Sequence, residues 1–361
     1  MTVFAPEVCG LTGKAGNATI HPTASINVED FSVGEGTVIE AGVRINGRKV
    51  HIGRNVTISE GVRIGGFQRK ELARLTIGDD VLLGERVQIA LPEAAIGDYV
   101  KIHRQCSLYG QERLAIGHNA WCGETSILNC SGGLYVGNNV GIATRNGIWT
   151  HIAHGEVVEG STLRSFTPTI LWHNAWLLPD VTVSSGVEVG EFSVVLANSV
   201  VTKSTEPYHL YAGTPASDIT DRKRPYDPTS PERRLELMTE FIEEFLRSAH
   251  PNASREDDTQ STTWTVDERT SIAVIKIPSC DARDLKRLPE GSLVFGYALR
   301  DFPPEWAYFD LKEKTYEKHY TTLERSLMSF LISGLARFVP ARNPVLEKEF
   351  LAECVSRIRR G

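Results

Sequence analysis

No stretch of this 361-residue chain approaches the roughly 20 consecutive apolar residues that cross a bilayer, so no transmembrane segment is expected. The N-terminus, MTVFAPEVCG, lacks the basic region and long apolar core of a signal peptide. Basic blocks are missing too. The net charge of −6 is spread along the chain, which points away from nucleic acid and from anionic membrane surfaces. The six cysteines (Cys9, Cys106, Cys122, Cys130, Cys280 and Cys354) form no CxxC pair, which argues against a zinc knuckle. These absences describe a reduced, cytoplasmic protein with no metal site expected. Apolar residues at 41% and charged residues at 23% are ordinary for a globular protein, and the length suggests two or three units.

What is present is a period of six. Val33, Ile39 and Ile45 are six apart, as are Ile52, Ile58 and Ile64. The series runs on through Ile77, Leu83 and Ile89; Ile96, Ile102 and Leu108; Ile116, Cys122 and Leu128; Val136, Ile142 and Ile148. It resumes as Leu171, Leu177, Val183, Val189, Val195 and Val201, and Ile20 and Ile26 precede it. Skips of one or two residues usually separate the triplets. Three hexads therefore close one triangular coil, with the insertions at a corner. A glycine often follows the apolar residue, as in IGRN, IGDD, IGDY, IGHN and VGNN. Glycine and asparagine there suit the positive φ of tight turns. An antiparallel sandwich would show longer alternating strands, not this period.

The period breaks once, between Ile148 and Leu171, over WTHIAHGEVVEGSTLRSFTPTI. An insertion expelled from a regular solenoid is a candidate functional loop. His151 stands at its root, three positions past a core residue, so its ring should point outward. An imidazole there suits general-base work on a hydroxyl or amine. Ser131 occupies the equivalent position one coil below. Asn129 or Asn146 could orient the ring, and both could equally be turn asparagines. His154, Glu156 and Glu159 lie in the loop, either as acceptor contacts or as solvated side chains.

These repeats resemble the hexapeptide-repeat acyltransferase superfamily over about residues 20–220. The loop is similar to that of its maltose, galactoside and xenobiotic acetyltransferase branch, where a histidine precedes a protruding loop and a tryptophan opens the next coil. The resemblance implies a left-handed parallel β-helix and a homotrimer with sites between subunits. It implies acetyl-CoA as acyl donor and a carbohydrate or other small-molecule acceptor. His151 matches the catalytic histidine and Trp176 the tryptophan. The segment SVVLANSVVTKSTEPYHLYAGTPASDI is similar to the family's closing signature. By that match Ala197, Thr202 and Lys203 contact the pantetheine arm or adenosine phosphates. Trp172, Leu178 and Leu196 stand where the family often has glycine, and could narrow the donor groove. Ser217-Asp218 replaces a common cation, with Arg222, Lys223 and Arg224 following.

Past Pro225 the repeat is absent. Thr229, Pro231 and Glu232 read as a helix start. Leu235, Met238, Phe241, Ile242 and Phe245 form one apolar stripe, expected to pack on the β-helix or on a neighbouring subunit. PNASREDDTQSTT reads as a polar linker. SIAVIKI and SLVFGYALRD read as strands; LERSLMSFLISGLARFV and LEKEFLAECVSRIR read as helices. Cys280 beside Asp281 reads as structural.

The expected fold is mainly β. A left-handed parallel β-helix of about nine coils is followed by a helix and a small α/β domain. The divisions are a lead-in at 1–19, the β-helix at 20–220 with its loop at 149–169, a helical connector at 221–250 and an accessory domain at 251–361. The expected activity is acyl transfer, such as sugar O-acetylation in polysaccharide biosynthesis, without a covalent enzyme intermediate. Two alternatives stand beside it. One is a carbonic-anhydrase-like zinc enzyme using His103, His118 and His151; the other is a non-catalytic scaffold.

Overall fold

Three hexads wind one turn because each is a short strand plus a corner, and the corners repeat in register from coil to coil. The computed structural model describes residues 17–66, 71–282 and 288–360. Residues 1–16 of the expected lead-in, including Cys9, lie outside the described residues.

The strands stack in parallel into three columns. The first face carries Ile39, Ile58, Leu83, Ile102, Cys122, Ile142, Leu177 and Val195. The second carries Ile26, Ile45, Ile64, Ile89, Leu108, Leu128, Ile148, Val183 and Val201. The third carries Val33, Ile52, Ile77, Ile96, Ile116, Val136, Leu171 and Val189. These residues form one continuous buried core, each side chain contributing about 1.5–3 kcal/mol. The six-residue period therefore marks the columns of a parallel β-helix.

The glycine that follows the core residue has a different role from the one expected. Positive φ falls two residues later, at Asn55, Asp80, Tyr99, Asn119 and Asn139. The glycine is required by the spacing of the coils. A Cβ on Gly117 would lie 2.5 Å from Asn138 Oδ1 and 2.7 Å from Asn138 N, and one on Gly97 would lie 2.7 Å from His118 N. At several corners the side chain in the position after the glycine, whose place Trp172 fills in the last case, accepts from the backbone of the preceding coil. Asp98 Oδ1 accepts from Asp79 N at 2.8 Å, His118 Nδ1 from Asp98 N at 2.9 Å, Asn138 Oδ1 from His118 N at 2.9 Å and His173 Nδ1 from Asn138 N at 2.8 Å. This ladder satisfies corner N–H groups that the strands leave unpaired.

The chain divides into two compact units, 1–226 with 345–361 and 227–344. This differs from the boundaries read from the sequence. The last 17 residues belong with the β-helix, and the helix placed in a connector belongs with the α/β unit. The reason is apolar burial on the outside of the third face. Ala115, Tyr135 and Ile170 point outward there, and the C-terminal helix Lys348–Arg360 covers them with Phe350 and Cys354.

In the second unit, α1 spans Pro231–Ala249. Its cap is Ser230, one residue after the expected Thr229; Ser230 Oγ accepts from Arg233 N at 3.2 Å. Within its own unit its apolar stripe packs against strands Ser271–Ile275 and Leu293–Gly296 and helix α2, Thr322–Leu331. The expected linker is instead a pair of antiparallel strands, Ser254–Asp257 and Ser261–Thr265. Its first strand is wholly exposed, so it carries no apolar signal; Trp264 anchors the second. An open cleft of 290 Å³ in this unit is lined by Glu243, Arg247, His250, Arg255 and Trp264. Arg255 is already paired with Glu243 and Asp257.

Candidate active site at the root of the loop

The second face ends its strand at Gly147–Ile148, and the chain leaves the coil two residues later. Thr150 is fully buried and pins this exit: its Oγ1 donates to Asn129 O at 2.9 Å and accepts from Gly132 N at 2.9 Å. His151 follows, half-buried. The loop then forms a small antiparallel pair, Ile152–Ala153 with Arg164–Ser165, around a single turn at Val157–Glu159.

The His151 ring is held on two sides. Its Nδ1 lies 2.9 Å from Asn129 Oδ1. The same oxygen accepts from the Ser131 backbone N–H at 3.1 Å. A backbone N–H can only donate, so Asn129 presents its oxygen and His151 Nδ1 must carry the proton. That fixes the tautomer and leaves the Nε2 lone pair free to accept a proton. Phe166, on the return limb of the loop, stacks on the imidazole with centroids 5.7 Å apart and planes at 26°. Trp149 tilts against it at 6.3 Å. Gly147 leaves room for that indole, since a Cβ there would lie 2.9 Å from Trp149 Nε1.

The residues singled out in the sequence fall into two groups. Asn129 and Ser131 surround His151, with Asn129 Nδ2 donating to Ser131 Oγ at 3.3 Å. Thr202 and Lys203 directly follow Val201 and so lie at the same corner two coils on, about 10 Å along the axis at ordinary strand spacing. Both are exposed, as are His154 and Glu156 in the loop. Trp176 stands on the first face, lying over Gly141. Ala197 sits at the corner between the first and second faces, next to Leu196. One copy of the chain therefore does not gather Trp176 and Ala197 with His151.

Asn146 is a turn residue, accepting from Val181 N at 2.6 Å and donating to Ala143 O at 2.8 Å. Trp172 turns to donate from Nε1 to Glu188 Oε2 at 2.8 Å and packs beside the C-terminal helix. Asp218 pairs with His209 at 2.6 Å, and hydrogen bonds from Thr220 hold its carboxyl down to about 2. Two of the three histidines of the zinc reading are engaged elsewhere. Trp121 Nε1 donates to His103 Nε2 at 2.7 Å, and His118 Nδ1 serves the corner ladder. Among the described residues no three His, Cys, Asp or Glu side chains come together as a metal site. Thr150 and Phe166 were not singled out in the sequence. Phe166 had a signal there, as an aromatic residue just before the repeat resumes.

In its hexapeptide repeats the chain is similar to the hexapeptide-repeat acyltransferase superfamily, and in sequence it is similar to proteins named as acetyltransferases. No protein-family model matches the chain. It is 31% identical over 110 residues to the putative colanic acid biosynthesis acetyltransferase WcaF of Escherichia coli K12, a match covering 30% of this chain and 59% of that protein. It is 33% identical over 96 residues to the galactoside O-acetyltransferase of the same organism, covering 25% and 47%. The chain thus spans about half the length of these curated relatives. Among solved structures, the Arabidopsis UDP-N-acetylglucosamine acyltransferase aligns over 64% of this chain and 83% of its own, at 14% identity and a TM-score of 0.43.

Proposed function

We propose that the protein transfers an acyl group, in the first instance acetyl, from a coenzyme A thioester to a hydroxyl or amine of a sugar-containing acceptor. The observation that carries this reading is the hydrogen bond from His151 Nδ1 to Asn129 Oδ1 at 2.9 Å, which leaves Nε2 as the proton acceptor at the mouth of the loop. The relatives named as acetyltransferases support the same class of reaction.

In this reading Nε2 takes the acceptor's proton as its oxygen or nitrogen attacks the thioester carbonyl carbon. The tetrahedral intermediate collapses with cleavage of the C–S bond. The imidazolium returns its proton to the departing thiolate, giving coenzyme A and the acylated acceptor. Asn129 stabilises the transient imidazolium through the Nδ1–H it already holds. No covalent enzyme intermediate is needed, and no nucleophilic side chain lies in the Asn129 network beyond the hydroxyls of Thr150 and Ser131. In this reading Ser131, His154 and Glu156 are assigned to the acceptor, and Thr202 and Lys203, with Trp176 and Ala197, to the donor. Lys203 would meet a phosphate as a point charge.

The reading includes a homotrimer. The loop exposes Val157 at 60%, Val158 at 86% and Leu163 at 60%, an apolar tip of the sort that a second copy covers. The separation of Trp176 and Ala197 from the His151 corner supports a site shared between copies. Among the described residues no helix is long and apolar enough to cross a membrane; a cytoplasmic location is part of the proposal.

The test is a screen of purified protein with acetyl-CoA and longer acyl thioesters against hexoses, galactosides, amino sugars and oligosaccharides, reading free thiol and product mass together. Acceptor-dependent thiol release with a matching acylated product is expected. Absence of any acylated product across the panel, from folded protein, would refute the reading.

A further inference from the structure

The C-terminal helix Lys348–Arg360, α3, does more than cover an apolar face. It belongs to the β-helix unit, although the chain reaches it only after passing through residues 227–344. Phe350 is buried against Gly133, where even a Cβ would make only ordinary contact with the ring, at 3.5 Å. Tyr135 Oη donates to Leu346 O at 3.3 Å just before the helix begins. One turn from the end of α3, Arg357 Nη2 donates to the backbone oxygen of Phe166 at 3.1 Å. The Phe166 ring is the one that stacks on His151. A line of contacts thus runs from a buried anchor on α3, through Arg357, to the return limb of the loop and the imidazole.

We infer that Arg357 is a positioning residue for His151, holding Phe166 so that the imidazole keeps its plane and its bond to Asn129. The physical need is clear from the loop itself. Phe166 is 38% exposed. The return limb is tied to the outgoing limb by a two-residue strand pair and by His154 N donating to Leu163 O at 3.1 Å, and past Phe166 it is held by Ser185 Oγ donating to Thr167 O at 3.2 Å; at Phe166 itself the backbone oxygen is held by Arg357. Arg357 supplies a charge-assisted hydrogen bond from a helix whose own position is set by burial of Phe350 and Cys354. The inference rests on the catalytic reading of His151, and it makes α3 part of the site although α3 touches no reacting atom.

The experiment uses full-length Arg357→Met, which keeps the aliphatic stem, and Arg357→Lys, which restores a donor. Two readouts are taken. The first is kcat and KM in the thiol-release assay. The second is the NMR signals of the His151 ring protons, which lie in the ring current of Phe166; a Phe166→Leu variant assigns that contribution. Arg357→Met is expected to lower kcat by about tenfold, as small misplacements of a catalytic group do, with donor KM little changed. It should also move the His151 signals toward those of Phe166→Leu, and Arg357→Lys should recover part of both effects. Wild-type kcat together with unmoved His151 signals in Arg357→Met would overturn the inference. His151→Ala, assayed in parallel, separates the two claims: if that variant kept its turnover, the catalytic reading would fail, while the NMR arm would still report whether α3 holds the ring.

Discussion

Replacing Asn129 by alanine tests the site at its most connected atom. Asn129 is fully buried. Its Oδ1 accepts from His151 Nδ1 at 2.9 Å and Ser131 N at 3.1 Å. The Thr150 hydroxyl also lies 3.1 Å from it, but its single proton goes to Asn129 O at 2.9 Å, an acceptor that survives loss of the side chain. The Ser131 N–H has no such substitute, and an unsatisfied donor costs about 1–3 kcal/mol. Ser131 is half-buried, so we take about 2 kcal/mol, near the middle of that range. That corresponds to a fall of about 4–8 °C in melting temperature for a unit of this size. The chemical loss is separate. Without the acceptor nothing selects the Nδ1–H tautomer, and a hydrogen bond of about 1–2 kcal/mol that orients the ring is gone. At 1.4 kcal/mol per decade, kcat should fall about 5- to 30-fold beyond any effect of unfolding. Asn129→Asp keeps an acceptor toward both donors and should stay closer to wild type in melting temperature. The assay is steady-state thiol release at a temperature well below both melting transitions. An Asn129→Ala protein that melts earlier but turns over at the wild-type kcat would show that Asn129 supports the coil and not the base.

Two further predictions concern the coil. Gly117→Ala should cost about 1–3 kcal/mol through overlap with the next coil, whereas Gly42→Ala, with φ of +66° and nothing within 4 Å of its Cβ, should cost only the left-handed strain of about 1–2 kcal/mol; equal costs in urea titration, with Gly117→Ala at the low end, would weaken the spacing argument. Burial lowers the His173 imidazole below its ordinary value of 6.5, and its Nδ1 must stay unprotonated to accept from Asn138 N. The unfolded chain therefore takes up the proton first, so this contribution is whole above pH about 6.5 and is lost as pH falls through that value toward the lowered folded one. His173→Asn supplies an oxygen like that of Asn138 in the coil below, and should flatten the fall in denaturation midpoint on acidification; an unchanged slope would mean that His173 does not report the ladder.

The columns of the β-helix were legible because a six-residue period of Ile, Val and Leu has one geometric solution, and every register from Ile39 to Val201 follows it. The tautomer of His151 was not legible. It depends on Ser131 N fixing which way Asn129 faces, a fact of three dimensions. The role of the glycines was misread for a similar reason. Gly117 looks like a turn residue in the sequence, but its constraint comes from Asn138 in the next coil. The course of the last helix was missed although a signal was there. LAI, LYV and TIL carry Ala115, Tyr135 and Ile170 outward, where strands of the other faces carry Lys101 or Thr182. An outward apolar column requires a cover, and nothing in sequence order says that the cover comes from residues 348–360. The strand at Ser254–Asp257 was hidden because an edge strand exposed on both faces needs no apolar residue.

The central claim is that the His151 imidazole removes the acceptor's proton. The most direct measurement is kcat for thiol release by His151→Ala at saturating thioester and acceptor, with donor affinity and melting temperature measured on the same preparation. The account predicts a loss of about 10²- to 10⁴-fold in kcat, with donor affinity and melting temperature near wild type. Full turnover by that variant would contradict it.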